Sequence, residues 1–177
     1  MSVLVLDLDH TLVHTLAAPR APGAVPLGMP GRNLHVHVRP HARELLQYLR
    51  ADQTRKWLKV AVWTAGTAAY ARAVLDIVFA HADAGLWYET VETVLSRSDA
   101  LPLPAGAYVK PLSAVRRKLG VDDVLLVDDD PIHARIRSNA VLQAPRYDAE
   151  QDGDAFLLQL VARLRAARAQ GRPLAQA

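Results

Sequence analysis

Short unbroken apolar runs alternate along this chain with longer stretches of helical periodicity. Residues 3–6 (VLVL), 60–63 (VAVW) and 124–127 (VLLV) are apolar throughout, the pattern of strands covered on both faces. Between the first two, "HARELLQYLR" sets Leu45, Leu46 and Leu49 on one helical stripe behind Pro40, which suits a first helical turn. A second helix is expected from about residue 67 to 81, with Tyr70, Val74 and Ile77 as its buried face. "LSAVRRKLG" reads as a helix closed by Gly120, and "PIHARIRSN" as a helix that starts at Pro131. "AVLQA" is expected to be a short strand, and residues 154–169 an amphipathic closing helix. "LHVHVRP" alternates Leu34, Val36 and Val38 with His35 and His37, a strand with one buried face. The stretch "TLAAPRAPGAVPLGMPGRN" is crowded with proline and glycine and is expected to be a loop beside the site. Residues 82–109, with "GLWYETVETVL" and "LPLPAG", are expected to form a small insertion of short strands or loops.

Strands alternating with helices predict an α/β fold, a mainly parallel sheet flanked by helices. A length of 177 residues suits one domain, placed at 1–170, with a flexible tail at 171–177. The chain is 51% hydrophobic and 22% charged, ordinary for a globular protein. It has no cysteine, which removes disulfides and thiolate metal sites. No basic segment precedes the first apolar run, and no apolar run approaches the ~20 residues of a membrane span. The expectation is a cytoplasmic protein with no signal peptide and no membrane role. The formal net charge of +3 is mild, and much of it sits in "ARLRAARAQGRP". That tail reads as a solvated helix face rather than a nucleic-acid surface.

The chemistry lies where the apolar runs stop. Each buried strand ends in a polar group: Asp7, Thr64, and the three aspartates Asp128, Asp129 and Asp130. If these strands are neighbours, their carboxyl ends form one cleft, the usual ligand site of an open parallel sheet. Asp7 and Asp9 point the same way if the extended conformation persists. Like charges so close need a cation or a shared proton between them. Oxygen donors without histidine or cysteine at matching spacing favour Mg²⁺ over zinc, and a carboxylate-held Mg²⁺ keeps positions open for phosphate. Asp7 can then attack phosphorus and form an aspartyl-phosphate, while Asp9 protonates the leaving oxygen and later activates water. Thr64 can bond a phosphoryl oxygen, and Lys110 of "YVKPL" can neutralise the charge that builds up in transfer.

"DLDHTLVHT" resembles the DxDxT signature of the haloacid dehalogenase (HAD) superfamily. The order "DLDHTLVHT", "VRPHARELL", "VAVWTAGTAAYARAVLDIV", "YVKPLS" and "VLLVDDDP" resembles its branch of CTD phosphatases and NLI-interacting-factor domains, over about residues 3–141. The resemblance implies a Rossmann-like core, Mg²⁺ dependence and phosphate-ester hydrolysis through a phospho-aspartate, while the chain is compact and is expected to carry no large cap. It implies Asp7 as nucleophile and metal ligand, and Asp9 as general acid/base whose backbone carbonyl also meets the metal. Thr64 and Lys110 would hold the phosphoryl group, and Asp129 would bind metal with Asp128 beside it. The implied partner is a phosphorylated substrate: a phosphoserine or phosphothreonine protein, a small metabolite or a nucleic-acid end. The rival is a non-catalytic binding module on the same fold. His10 stands where an acidic residue is common in this branch, and residues 82–109 show no clear match to its peptide-recognising sheet.

Other polar residues take plainer readings. Asp130 reads as a helix cap, and His35 and His37 as facing solvent or a loop. His14 is assigned no role, and Trp87 and Tyr88 read as core packing. "VLLVDDDP" also resembles the start of a response-regulator receiver domain, but too few residues follow Asp130 to build one.

Overall fold

The structure is a computed structural model that describes residues 1–20, 23–150 and 153–176. Strand β1 (Ser2–Leu6) runs between β5 (Leu58–Trp63) and β9 (Asp123–Asp128), parallel to both. With β6 (Val91–Leu95) and β10 (Ala140–Gln143), the sheet order is β10-β9-β1-β5-β6, parallel throughout. Both faces are covered, which is why the strand sequences are apolar without a break. Leu4, Leu6, Val60, Val62, Leu125 and Val127 face helices α1 (Ala42–Arg50), α3 (Ala68–His81) and α5 (Phe156–Ala169). Val3, Val5, Ala61, Trp63, Val124 and Leu126 face the other way, onto Leu112 and Val115 of α4 (Leu112–Leu119). A single turn, α2 (Asp52–Arg55), leads into β5.

The stretch expected as a loop, residues 15–33, holds one whole strand and the ends of two others. β2 (Val13–Leu16) and β3 (Val25–Met29) flank β4 (Arg32–Val38) in an antiparallel sheet, while residues 21 and 22 lie outside the described residues. Val13, Leu27 and Val36 of the three strands join the main core, so their apolar alternation prevails over the proline and glycine around them. His37 is buried rather than solvated, and its Nε2 accepts the Arg20 N–H from the adjoining loop at 3.5 Å.

Residues 82–109 divide. Val91–Leu95 joins the central sheet as β6, and the remainder is short turns plus the hairpin of β7 (Leu101–Pro102) and β8 (Tyr108–Val109). Trp87 packs partly against the core, but Tyr88 is 62% exposed. Both precede β6 and so sit at the amino end of the strands, away from the aspartate tips. The helix expected at Pro131 is a 3-10 turn, Pro131–Arg135, capped as expected by Asp130, whose Oδ1 accepts the Ile132 N–H at 2.9 Å. Gly120 closes α4 in the left-handed region, φ +64°. Within the stretch read as a tail, Leu174 is buried and Asp123 accepts the N–H groups of Leu174 and Ala175. No helix among the described residues is long and apolar enough to cross a membrane.

One buried cation ties these layers to the opening motif. Arg39, 1% exposed, donates from Nε to Asp154 at 2.8 Å and from Nη1 to the Thr11 carbonyl at 3.0 Å. Its guanidinium also lies over the Phe156 ring at 4.7 Å, so α5 and the turn after β1 share one anchor. Arg39→Met leaves Asp154 charged and buried without its partner and is expected to cost about 3 kcal/mol in urea unfolding. The double variant Arg39→Met/Asp154→Leu is expected to recover most of that loss.

Candidate active site

The alternation that buries Val3 and Val5 against α4 carries Asp7 to the same side, and the alternation of Val124 and Leu126 carries Asp128 there too. Lys110, just before α4, fills the gap between them. Its Nζ lies 2.5 Å from Asp7 Oδ1 and 2.6 Å from Asp128 Oδ2, with all three residues buried. Asn139 fixes the approach of Lys110: its Nδ2 donates to the Lys110 carbonyl at 2.9 Å and its Oδ1 accepts the Leu112 N–H at 3.0 Å. His133 accepts the Lys110 N–H on Nδ1, so its Nε2 carries the hydrogen that reaches Asp128 Oδ2 at 3.2 Å.

These contacts set the charges. Burial pushes the Asp7 carboxyl up to about 8; Lys110 opposes the shift, and Asp128 and Asp9 add to it. Burial alone would lower the Lys110 ammonium, but Asp7 and Asp128 outweigh it and hold the pKa above the usual value. Asp128 is driven up by burial and held below the ordinary carboxylate range by His133 and Lys110.

Asp9 does not point the same way as Asp7. The strand ends at Leu6, and the Leu8 carbonyl then accepts the N–H groups of Thr11, Leu12 and Val13, with His10 in the left-handed region at φ +61°. The chain curls, and the Asp9 carboxylate turns to the α3 side. There its Oδ1 accepts a short hydrogen bond from the Tyr70 hydroxyl, and its Oδ2 lies 3.4 Å from Thr64 Oγ1. Thr64 also accepts the Gly66 N–H at 2.9 Å. Burial, with Asp9 beside it, holds the Tyr70 phenol above its usual range, so it remains a donor.

Asp129 leaves β9 on the outer side. Thr11 Oγ1 accepts its N–H at 3.1 Å, and its Oδ2 accepts from Arg146 Nη1 at 2.8 Å. Arg146 Nη2 lies 2.6 Å from His10 Nε2, while His10 Nδ1 lies 2.9 Å from the Tyr147 carbonyl. His10 thus joins Arg146 to the backbone of Tyr147. Burial and the neighbouring Asp128 raise the Asp129 carboxyl, with Arg146 pulling against them. Asp7, Asp128 and Asp129 each place a carboxylate oxygen within 4.8 Å of the others, a set that could hold a cation.

The structure thus gathers every residue singled out from the sequence around one cleft of about 400 Å³ or on its wall, Thr64 entering through Asp9. Tyr70, His133, Asn139, Arg146 and Thr11 were not singled out. Tyr70 left a usable signal: it follows the Thr67 cap by three residues in the first helical turn after Thr64, close to the strand end. The others become neighbours only through long-range folding.

In this parallel sheet the central strand delivers a carboxylate to a buried lysine, beside a second acidic strand tip. The model of the NLI interacting factor-like phosphatase family matches residues 2–172, and the chain belongs to that family. No curated protein matches it by sequence. Among solved structures it aligns with the RNA polymerase II CTD phosphatase Fcp1 of fission yeast, a variant bound to beryllium fluoride. That match has 18% identity over 97% of this chain and 51% of the other, with a TM-score of 0.50. A second structure of Fcp1, an essential RNA polymerase II CTD phosphatase, aligns at 23% identity over 99% of this chain and 52% of the other, TM-score 0.53. The 3-deoxy-D-manno-octulosonate 8-phosphate phosphatase of Moraxella catarrhalis, in complex with magnesium, phosphate and KDO, aligns at 11% identity over 97% and 94%, TM-score 0.48. The Fcp1 structures share the fold, and this chain spans about half their length.

The raised Asp7 pKa fixes a direction of pH dependence. Below 3.8 the carboxyl is protonated in folded and unfolded chains alike, and its contribution to stability is complete. As pH rises toward about 8 the unfolded chain loses this proton first, and the contribution is lost. In metal-free buffer, urea unfolding from about pH 5 to about pH 8 is therefore expected to show wild type losing stability relative to Asp7→Asn. A constant difference across that window would count against burial as the cause.

Proposed function

We propose that the chain is a Mg²⁺-dependent phosphomonoesterase that works through a phospho-aspartate on Asp7, within one domain spanning residues 1–170. The observation that carries the reading is the buried Lys110 ammonium shared by Asp7 and Asp128, lining a cleft that Asp9 and Asp129 also line. The donor set fits Mg²⁺, since it consists of clustered carboxylate oxygens alone. Within it, Asp128 is already engaged through both oxygens, by Lys110 and His133 on Oδ2 and by the Asp130 N–H on Oδ1. That favours Asp7 and Asp129 as the side-chain ligands, with the Asp9 backbone carbonyl, and Asp128 as the support for Lys110. When bound, Mg²⁺ supplies positive charge that draws the phosphoryl oxygens in and offsets the charge developing on them.

Asp7 attacks phosphorus, and the bond from phosphorus to the ester oxygen breaks as Asp9 gives that oxygen a proton. Lys110 and Thr64 hydrogen-bond the phosphoryl oxygens during transfer. Asp9, now ionised, takes a proton from water as the water attacks the phospho-aspartate, and phosphate leaves Asp7 free. The opposed orientations of Asp7 and Asp9 support this division, one aimed at phosphorus and the other at the leaving group.

A phosphoserine or phosphothreonine of a protein is the substrate we favour. Its support is family membership and a cleft over which no large cap lies among the described residues. Hydrolysis of a nitrophenyl phosphate is expected with Mg²⁺, to cease with chelator, and to fall at least about 1,000-fold in Asp7→Asn. Retained turnover in that variant would refute the mechanism. On a substrate panel, phosphopeptides are expected to exceed phosphometabolites and oligonucleotide end phosphates in kcat/KM, and the reverse order would reassign the substrate. No turnover on any ester by a folded wild type that binds Mg²⁺ would leave a binding module.

A further inference from the structure

Asp9 has two oxygens and, in the reading above, one proton to deliver. That proton is productive only on the oxygen that faces the phosphoryl group. Oδ2 is that oxygen, since it lies beside Thr64 Oγ1. Oδ1 faces the opposite way, into a second cleft of about 360 Å³ lined by Tyr70, Thr15, Leu34 and Gly66, and it receives the Tyr70 hydroxyl. Thr15 Oγ1 of β2 lies 2.8 Å from the same hydroxyl, close enough to donate to it and turn its hydrogen toward Asp9. The Tyr70 ring has no slack. It is buried, and a Cβ at Gly66 would lie 2.7 Å from its Cδ1, so the backbone of the turn after Thr64 rests directly on the ring.

We propose that Tyr70, oriented by Thr15, is the positioning residue for Asp9: it makes Oδ1 a permanent acceptor and so confines the transferable proton to Oδ2. This rests on the phosphatase reading and adds to it a residue that touches neither phosphorus nor metal. In the first step the Asp9 proton passes from Oδ2 to the ester oxygen as the bond from phosphorus to that oxygen breaks and the bond to Asp7 forms. Tyr70 keeps its own proton throughout. Without its hydroxyl, the Asp9 proton can reside on either oxygen and the carboxyl can rotate, so fewer encounters place it on the leaving group.

Leaving groups differ in their need for that proton, which gives a readout that a merely structural role would not move. A dinitrophenolate leaves without protonation, whereas an alkoxide does not. The experiment measures kcat/KM, which reports the first step, for wild type, Tyr70→Phe and Thr15→Val on dinitrophenyl, nitrophenyl, phenyl and alkyl phosphates. The Tyr70→Phe loss is expected to grow along the series and to be about 30-fold larger on the alkyl than on the dinitrophenyl ester, part of the roughly 100- to 10,000-fold typical of general acid catalysis. Thr15→Val is expected to show the same order with a smaller span. Thr15 is only half-buried, so this variant carries the comparison if Tyr70→Phe folds poorly. Equal losses on all four esters, with wild type active, overturn the role of Tyr70 and leave the phosphatase reading standing. Wild type inert on all four overturns both.

Discussion

Everything at the site depends on one buried ammonium between two carboxylates. Asp7 and Asp128 stand at the tips of adjacent parallel strands on the same face of the sheet, and neither could be buried there ionised without a counterion. Lys110 supplies it from the other side of the cleft. Its position is set by Asn139 and His133, both downstream of β9, so the segment that closes the sheet also aims the lysine. Charge balance and chain connectivity are the same constraint here.

The second constraint is the turn after Leu8. With the Leu8 carbonyl taking three N–H groups and His10 left-handed, the two aspartates of the opening motif diverge to opposite faces of the sheet. Asp7 meets the lysine on the α4 side, and Asp9 meets hydroxyls on the α3 side. A carboxylate among hydroxyl donors and one beside an ammonium have different chemistry at the same pH. The fold thus separates the two carboxylates by direction.

The periphery holds this arrangement still. The antiparallel sheet brings Thr15 up to Tyr70, and Arg39 joins the end of β4 to the Thr11 carbonyl and to α5. Thr11 in turn accepts the Asp129 N–H, so the third carboxylate is tied to the same turn as the first two. Side chains at the edge of the cleft therefore hold its carboxylates in place.

The chain's own residues determined the layered parallel fold, because continuous apolar strands and striped helices are local patterns that report burial directly. They also determined Asp7, Asp9, Thr64, Lys110 and the acidic run at 128–130 as candidates, since each sits at the end of a buried strand or in a motif matched in order. Local pattern misplaced β2 and β3, where glycine and proline masked a weak alternation, and β6, whose strand lies among turns. It gave no sign of His133, Asn139 or Arg146, and it took Tyr70 for core. Only the tertiary structure decided those, along with the divergence of Asp7 and Asp9. Hydrogen bonds between residues more than a hundred positions apart, such as Lys110 to Asp7 and Asp129 to Thr11, leave no periodicity in a sequence. They exist only once the sheet has set its strands side by side.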